Sequence, residues 1–78
     1  MTMYAYDVMV DPRDGWSPER VDVTFKPHMA KAFTVKSVPV AGPGPHRIEL
    51  SAAAVAFRVW YRNGVLRSGV STTGTRAG

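Results

Sequence analysis

The sequence predicts a small, mostly-β domain, and three observations support that fold class. Valine, which fits the pleated surface of a strand, occurs 11 times, whereas the strong helix former leucine occurs only 2 times. Glycine and proline, which interrupt regular structure, are spread along the whole chain. Apolar and polar residues also alternate in several segments, as they do in half-buried strands. We therefore expect one antiparallel sandwich or open barrel of about five or six strands.

The length of 78 residues allows one small domain, and the composition excludes several classes of protein. The chain has no cysteine, so it holds no disulfide, no thiolate nucleophile and no sulfur-ligated zinc. The longest uninterrupted apolar run, 52–57, is far shorter than the roughly 20 residues of a bilayer span. No secretory signal is visible near the N-terminus. We expect a soluble, cytoplasmic protein whose domain covers 1–72, followed by a flexible tail over 73–78.

The first third of the chain predicts two strands joined by a turn. Tyrosine and valine occupy every second position of segment 3–11, which is the pattern of a strand. Segment 11–15 has the Asp, Pro and Gly residues that favour a turn. Residues 17–19 suit a helix start of at most one turn, because a hydroxyl cap precedes Pro and Glu. Alternation resumes over 20–26, where we expect the second strand.

The middle of the chain predicts two further strands separated by loops. Segment 27–32 fits either a short helix or a loop. Segment 33–40 is a predicted strand whose end lies at a sheet edge, because Pro39 cannot donate a ladder hydrogen bond. Glycine and proline alternate over 42–45, which predicts a stiff loop. Segment 47–50 follows as a short strand.

Segment 51–63 has several features of a helix. Ser51 is a favourable N-terminal cap, alanine is frequent in the next turns, and Gly64 stands where a helix commonly ends. An α+β fold, with one helix at about 51–63 packed on a sheet, is therefore the alternative architecture.

The same segment also fits the first strand of a β-hairpin, which is the structure we favour. From Val55 to Tyr61 the residues at odd positions are apolar, as on one face of a strand. The pair Asn63 and Gly64 is preferred in two-residue hairpin turns, because both central positions need a positive φ. A turn at this pair places Trp60 opposite Arg67 and joins mostly apolar residues on the other face.

The inward-facing positions of the predicted strands make up the expected core. Side chains of a strand alternate between its two faces, so one face of each strand is buried. The expected members are Tyr4, Tyr6, Val8, Val10, Val21, Val23, Phe25, Val35, Ile48, Leu50, Val55, Phe57, Val59, Tyr61, Leu66 and Val70.

The sequence gives no indication of catalysis or metal binding. His28 and His46 lie in predicted loops, and no Gly-x-Ser-x-Gly elbow is present. The aspartates of the first third lack the ligand spacing of a calcium loop. Proline removes two of the N–H donors that 42–45 would need to cradle a phosphate. We expect no enzyme activity, no catalytic residue, no cofactor and no metal site.

Charge is distributed unevenly along the chain, and its basic part suggests a binding face. Residues 1–22 hold five carboxylates and two arginines, a net charge of −3, whereas 23–78 hold eight basic residues and one glutamate, a net of +7. Arginine binds carboxylates and phosphates through paired planar donors, and tryptophan offers a flat apolar surface. The expected partner-binding residues are Arg58, Trp60, Arg62, Arg67, Arg47 and Lys36.

These residues predict a non-catalytic binding or assembly module. They would engage an acidic protein surface or a second copy of the chain, whose acidic first third would meet the basic face. The alternative is a small β domain that binds nucleic acid through the same residues. An enzyme is less expected, and neither membrane contact nor a small-molecule substrate is indicated.

Overall fold

The computed structural model describes residues 3–77 and confirms a mostly-β domain. Within that range there is no helix, so the alternative fold with a helix at about 51–63 is wrong. Seven strands occur in the described residues, rather than about five or six. They are β1 (Tyr4–Val10), β2 (Ser17–Phe25), β3 (Thr34–Pro39), β4 (Gly44–Leu50), β5 (Ala54–Asn63), β6 (Leu66–Thr72) and β7 (Gly74–Arg76).

The strands of residues 3–77 form two antiparallel sheets. The three-stranded sheet has the order β4-β1-β7, and the four-stranded sheet has the order β3-β2-β5-β6. Buried residues of both sheets form one core cluster between them. The chain passes from the four-stranded to the three-stranded sheet at Thr73, the residue between β6 and β7. This crossing ties the two sheets together at one side.

Gly74 allows the chain to make that crossing. A β-carbon built at Gly74 would lie 2.5 Å from Cζ of Phe57, closer than any real Cβ contact. Immediately beyond it, β7 pairs with β1, and Tyr6 lies opposite Arg76. The structure therefore places a paired strand inside segment 73–78, where the sequence predicted a flexible tail, while residue 78 lies outside the described residues.

Alternation along the strands produces the core, as the sequence predicts. Val8, Val21 and Val59, which come from three different strands, have at most 2% of their surface exposed. Burial of a valine side chain stabilises the fold by about 1.5–3 kcal/mol. The buried apolar residues are Tyr6, Val8, Val10, Val21, Val23, Phe25, Val40, Ile48, Leu50, Ala52, Phe57, Val59 and Tyr61.

Several residues expected in the core lie at the surface, which corrects the prediction. Val35 is 56% exposed because it lies on β3, an edge strand, and on its outward side. Val55 is 62% exposed because the β2–β5 pairing shifts register there and leaves it as the extra residue of a bulge. Leu66 and Val70 are exposed on β6, at the opposite edge of the four-stranded sheet. Tyr4 is half-buried and packs against the core.

Val40 and Ala52 belong to the core although the sequence did not predict it. Both lie between strands, where the alternation of apolar residues gives no signal. The backbone N–H of Val40 donates to the carbonyl oxygen of Glu19 at 3.2 Å, which fixes the chain as it leaves β3. Loop residues therefore close the core at positions that strand periodicity cannot identify.

Local elements in the first half of the chain differ from the prediction in small ways. The expected helix start at 17–19 is wrong, because these residues begin β2 and a bulge lies between Pro18 and Arg20. Segment 27–32 is a loop. The strand that ends at Pro39 lies at a sheet edge, as predicted. The last two residues of loop 42–45 are the first residues of β4.

The predicted hairpin exists, but its register differs by two residues. Trp60 lies opposite Gly69, not opposite Arg67, and Asn63 lies opposite Leu66. The turn is therefore formed by Gly64 and the following valine, and Gly64 has a φ of 61°. A glycine with positive φ at the first central position is typical of the type II′ hairpin turn. A slip of two residues leaves each side chain on its predicted face.

Candidate binding site

The outer face of the four-stranded sheet gathers most of the predicted binding residues. In β5, Phe57, Val59 and Tyr61 are buried in the core, so the residues between them point outward. Arg62 lies opposite Arg67 of β6. The surface called here the Arg/Trp face comprises Arg58, Trp60, Arg62 and Arg67, together with Arg20, Glu19 and Asp22 of β2.

Trp60 is held in one orientation across the face. Its indole Nε1 donates to Oδ2 of Asp22 on β2 at 2.9 Å. At the other end of the ring, Cη2 is so near Gly69 on β6 that a β-carbon there would lie 3.1 Å from it. The ring therefore extends from β2 to β6, over a position that has no side chain. This arrangement fixes the aromatic ring on the outer face of the sheet.

Asp22 orients the residues around Trp60. Besides the indole, its carboxylate accepts hydrogen bonds at Oδ1 from Arg20 Nε at 3.1 Å and from Ser37 Oγ at 2.7 Å. Both carboxylate oxygens are thus occupied by donors from β2, β3 and β5. Bonds to a charged group contribute about 1.5–3 kcal/mol each when partly buried. Asp22 is a positioning residue for the aromatic ring.

The arginines of the face differ in how they are neutralised. Oε2 of Glu19 lies 3.2 Å from Arg67 Nε, and Arg62 Nη1 lies 4.0 Å from Oε1. Arg20 contacts Glu19 at 3.7 Å and Asp22 at 3.1 Å. Within residues 3–77, Arg58 forms no ion pair.

Arg58 is also placed next to the aromatic ring. Its guanidinium carbon lies 5.9 Å from the centroid of Trp60, and that of Arg20 lies 5.2 Å from it. Both distances are within cation–π range. Because Arg58 is exposed and carries its charge without a carboxylate partner among the described residues, it can accept an anionic group beside Trp60.

A groove of about 300 Å³ lies on the same face, next to Trp60. The central strands of the sheet, β2 and β5, contribute the short side chains of Thr24 and Ala56, which lie opposite each other in the groove. Val35 of β3 borders it on one side, and Arg58 with Trp60 borders it on the other. The groove is therefore lined by an exposed apolar residue, an aromatic ring and a cation.

Two predicted site residues do not belong to this face. Arg47 lies in β4 opposite Asp7, and the two form an exposed ion pair at 3.5 Å on the other sheet. Lys36 lies in β3 opposite Val23, a core residue, so it lies on the inner side of the sheet. Its Nζ donates to the carbonyl oxygen of Glu49 at 3.2 Å. Both were assigned to the site from their charge alone, because the sequence does not show which sheet or which face each residue joins.

Three residues of the site were missed, and the sequence carries a signal for two of them. Arg20 and Asp22 alternate with buried valines in β2, which indicates an outward position. Their proximity to Trp60 depends on the pairing of β2 with β5, which alternation does not reveal. Glu19 and Asp22 belong to the acidic first third, which the sequence assigned to contacts with a neighbouring subunit. In the structure both neutralise arginines of their own chain.

A separate cluster closes one end of the domain. Arg13 lies 4.5 Å from the ring of Trp16 and 5.7 Å from that of Tyr61, and its Nη1 donates to Ser68 Oγ at 2.9 Å. The Tyr61 hydroxyl donates to the carbonyl oxygen of Asp11 at 2.7 Å. Burial raises the pKa of Tyr61, the charge of Asp11 raises it further, and Arg13 lowers it. These contacts hold the 11–16 turn against the core.

Other features of residues 3–77 bear on metal binding and on membrane-spanning helices. In the described residues no group of three or more His, Asp or Glu side chains could hold a metal ion. His46 lies in β4 rather than in the predicted loop, and its Nε2 lies 2.8 Å from the carbonyl oxygen of Gly42, which precedes the strand. Over residues 3–77 no helix is long and apolar enough to cross a bilayer. No protein-family model, no curated protein and no solved structure matches this chain.

Proposed function

We propose that this domain is a non-catalytic binding module that holds an acidic segment of a partner protein on its Arg/Trp face. Trp60 supplies the apolar contact, and Arg58 supplies the bond to a carboxylate. The observation that carries the proposal is the fixed Trp60 ring beside Arg58, which has no ion pair within the described residues.

The rigidity of Trp60 favours binding. A side chain that is already ordered loses little entropy when a partner arrives, and ordering a mobile one costs about 0.5–1.5 kcal/mol. Tryptophan and arginine are also the residues that most often dominate the energy of protein interfaces. The hydrogen bond to Asp22 holds the ring in place before a partner binds, and the missing side chain at Gly69 leaves room for it.

The charge pattern favours an acidic protein over nucleic acid. Two carboxylates, Glu19 and Asp22, lie among the four arginines of the face, which leaves a net formal charge of +2 among the described residues. A nucleic-acid groove needs cations that follow a continuous phosphate backbone, and these carboxylates interrupt such a path. An acidic protein segment needs only one or two well-placed arginines.

The first test is a titration of a fluorescein-labelled acidic peptide followed by fluorescence anisotropy. We expect Arg58→Ala to weaken binding about tenfold, which corresponds to about 1.4 kcal/mol. The matched control is Arg47→Ala, which removes the same charge from the outer face of the other sheet. Equal losses in the two variants would show that net charge alone attracts the peptide and would contradict the site.

A labelled single-stranded oligonucleotide tests the alternative function. We expect the domain to bind the oligonucleotide more weakly than the acidic peptide at moderate salt. Tighter binding that falls steeply with salt would establish phosphate contacts and overturn the choice of partner. Self-association through the face, the absence of enzyme activity and the cytoplasmic location stay predictions from the sequence.

A further inference from the structure

Strand β6 has a free edge next to the Arg/Trp face. It is the last strand of its sheet and pairs only with β5 among the described residues. In a two-residue hairpin, the residues that flank the turn bond to each other, and alternate residues then point their backbone groups outward. Because Leu66 flanks the turn opposite Asn63, the outward-pointing residues are Arg67, Gly69 and Ser71.

The side chains of β6 differ sharply between its two faces. On the inner side, Leu66 is 62% and Val70 is 43% exposed, so the edge carries an apolar strip of these two side chains, with Ser68 between them. On the outer side, Gly69 has no side chain, and the side chains of Arg58 and Trp60 lie directly over it, so both reach the edge strand. Edge strands are commonly protected by charged side chains. Here Arg67 donates a hydrogen bond to Glu19, so its side chain lies over the sheet rather than across the edge.

We propose that the acidic segment binds as an added strand along β6, with acidic and apolar residues in alternation. This inference rests on the proposed function and defines the partner more narrowly. The backbone of the segment bonds to the outward groups of Arg67, Gly69 and Ser71. Its apolar side chains cover Leu66 and Val70, and its carboxylates lie on the outer face beside Arg58.

Charge complementarity favours such a partner over a second copy of this chain. Pairing β6 with another β6 would add the partner's Arg67 to a face that already carries a net positive charge. It would provide no carboxylate for Arg58, because β6 contains no acidic residue. An acidic strand supplies the missing charge and covers the same apolar strip.

The experiment uses the full chain and a short synthetic peptide in which valine and glutamate alternate. Ser71→Pro removes one outward N–H, and proline is tolerated where that group faces solvent on an edge strand. The matched control, Ser71→Ala, keeps the N–H. We expect about a tenfold loss of affinity for Ser71→Pro and no change for Ser71→Ala. Circular dichroism and thermal unfolding check that both variants remain folded.

A second variant avoids any change to the backbone. Val70→Lys places a charge on the exposed apolar strip, and we expect it also to weaken binding of the alternating peptide. In the wild-type chain, bound peptide should slow hydrogen exchange at the amides of Gly69 and Ser71. A peptide of the same composition with valine and glutamate in two separate blocks should bind more weakly.

The outcomes separate this inference from the function on which it rests. If Arg58→Ala loses the peptide while Ser71→Pro and Val70→Lys bind it normally, strand addition is overturned and the function stands. If the wild-type chain binds neither acidic peptide, both are overturned. If light scattering shows a dimer that Ser71→Pro dissociates, the edge takes a second copy and the acidic strand is the wrong occupant.

Discussion

At Asp22, one carboxylate organises three strands. It accepts hydrogen bonds from side chains of β2, β3 and β5, namely Arg20, Ser37 and Trp60. All three donors lie on the outer face, so their shared acceptor determines where the aromatic ring lies. The chemistry of the candidate site therefore depends on a residue that need not contact the partner itself.

We expect Asp22→Ala to destabilise the fold by about 1–3 kcal/mol, because partly buried donors lose their acceptor. Urea denaturation followed by circular dichroism measures the change. Asp7→Ala is the control, since it removes only an exposed ion pair of the kind that contributes about 0–1 kcal/mol. Equal stability losses in both variants would show that Asp22 is an ordinary surface residue.

Tyr61 gives the fold a dependence on alkaline pH. Its pKa is raised above 10.0 first by burial and then by the charge of Asp11, so the native state retains a proton that the unfolded chain releases. The associated stability is fully present below pH 10.0 and is lost as pH rises from there through the higher folded pKa. Denaturation across this range should show that decline.

Tyr61→Phe, which cannot ionise, is the control for that pH dependence. Its stability should be lower at neutral pH, because the bond to the Asp11 carbonyl is gone, and its decline above pH 10.0 should be shallower than that of the wild-type chain. An unchanged decline would assign the alkaline loss of stability to other groups.

At the level of the elements, a strand could be predicted when the residues that determine it lie within the strand itself. Alternation is local, so β1, the second half of β2 and β5 could be predicted from their own residues. The hairpin register could not, because a slip of two residues keeps every side chain on the same face. The exposure of Val35 and Leu66 follows from strand order, which depends on distant parts of the chain.

The passage from β6 to β7 depends on one glycine. We expect Gly74→Ala to destabilise the fold by about 1–3 kcal/mol, because the added methyl would meet the Phe57 ring. Gly42→Ala is the matched control, since nothing lies within 4 Å of a β-carbon there. Thermal unfolding compares the two. A Gly74→Ala variant as stable as Gly42→Ala would show that the ring moves aside freely.

For the whole molecule, the site combines residues that are close in sequence with residues that are distant. Arg58, Trp60 and Arg67 belong to one hairpin, and the sequence could place them on one face. Asp22 reaches Trp60 across 38 positions of the chain, and only the sheet order reveals that contact. Arg47 and Lys36 share the charge of the site but lie on other surfaces. The prediction of an acidic partner came from net charge, and the proposed place of binding comes from the sheet topology.

The most direct test is to follow the nitrogen–proton resonances of the labelled chain by NMR while the acidic peptide is added. If the peptide binds at the Arg/Trp face, the largest shifts should occur at the Trp60 indole and at the Arg58 backbone and side chain, with little change at Arg47. A Trp60 indole resonance that stays in place while Arg47 shifts, or no shift anywhere, would contradict it.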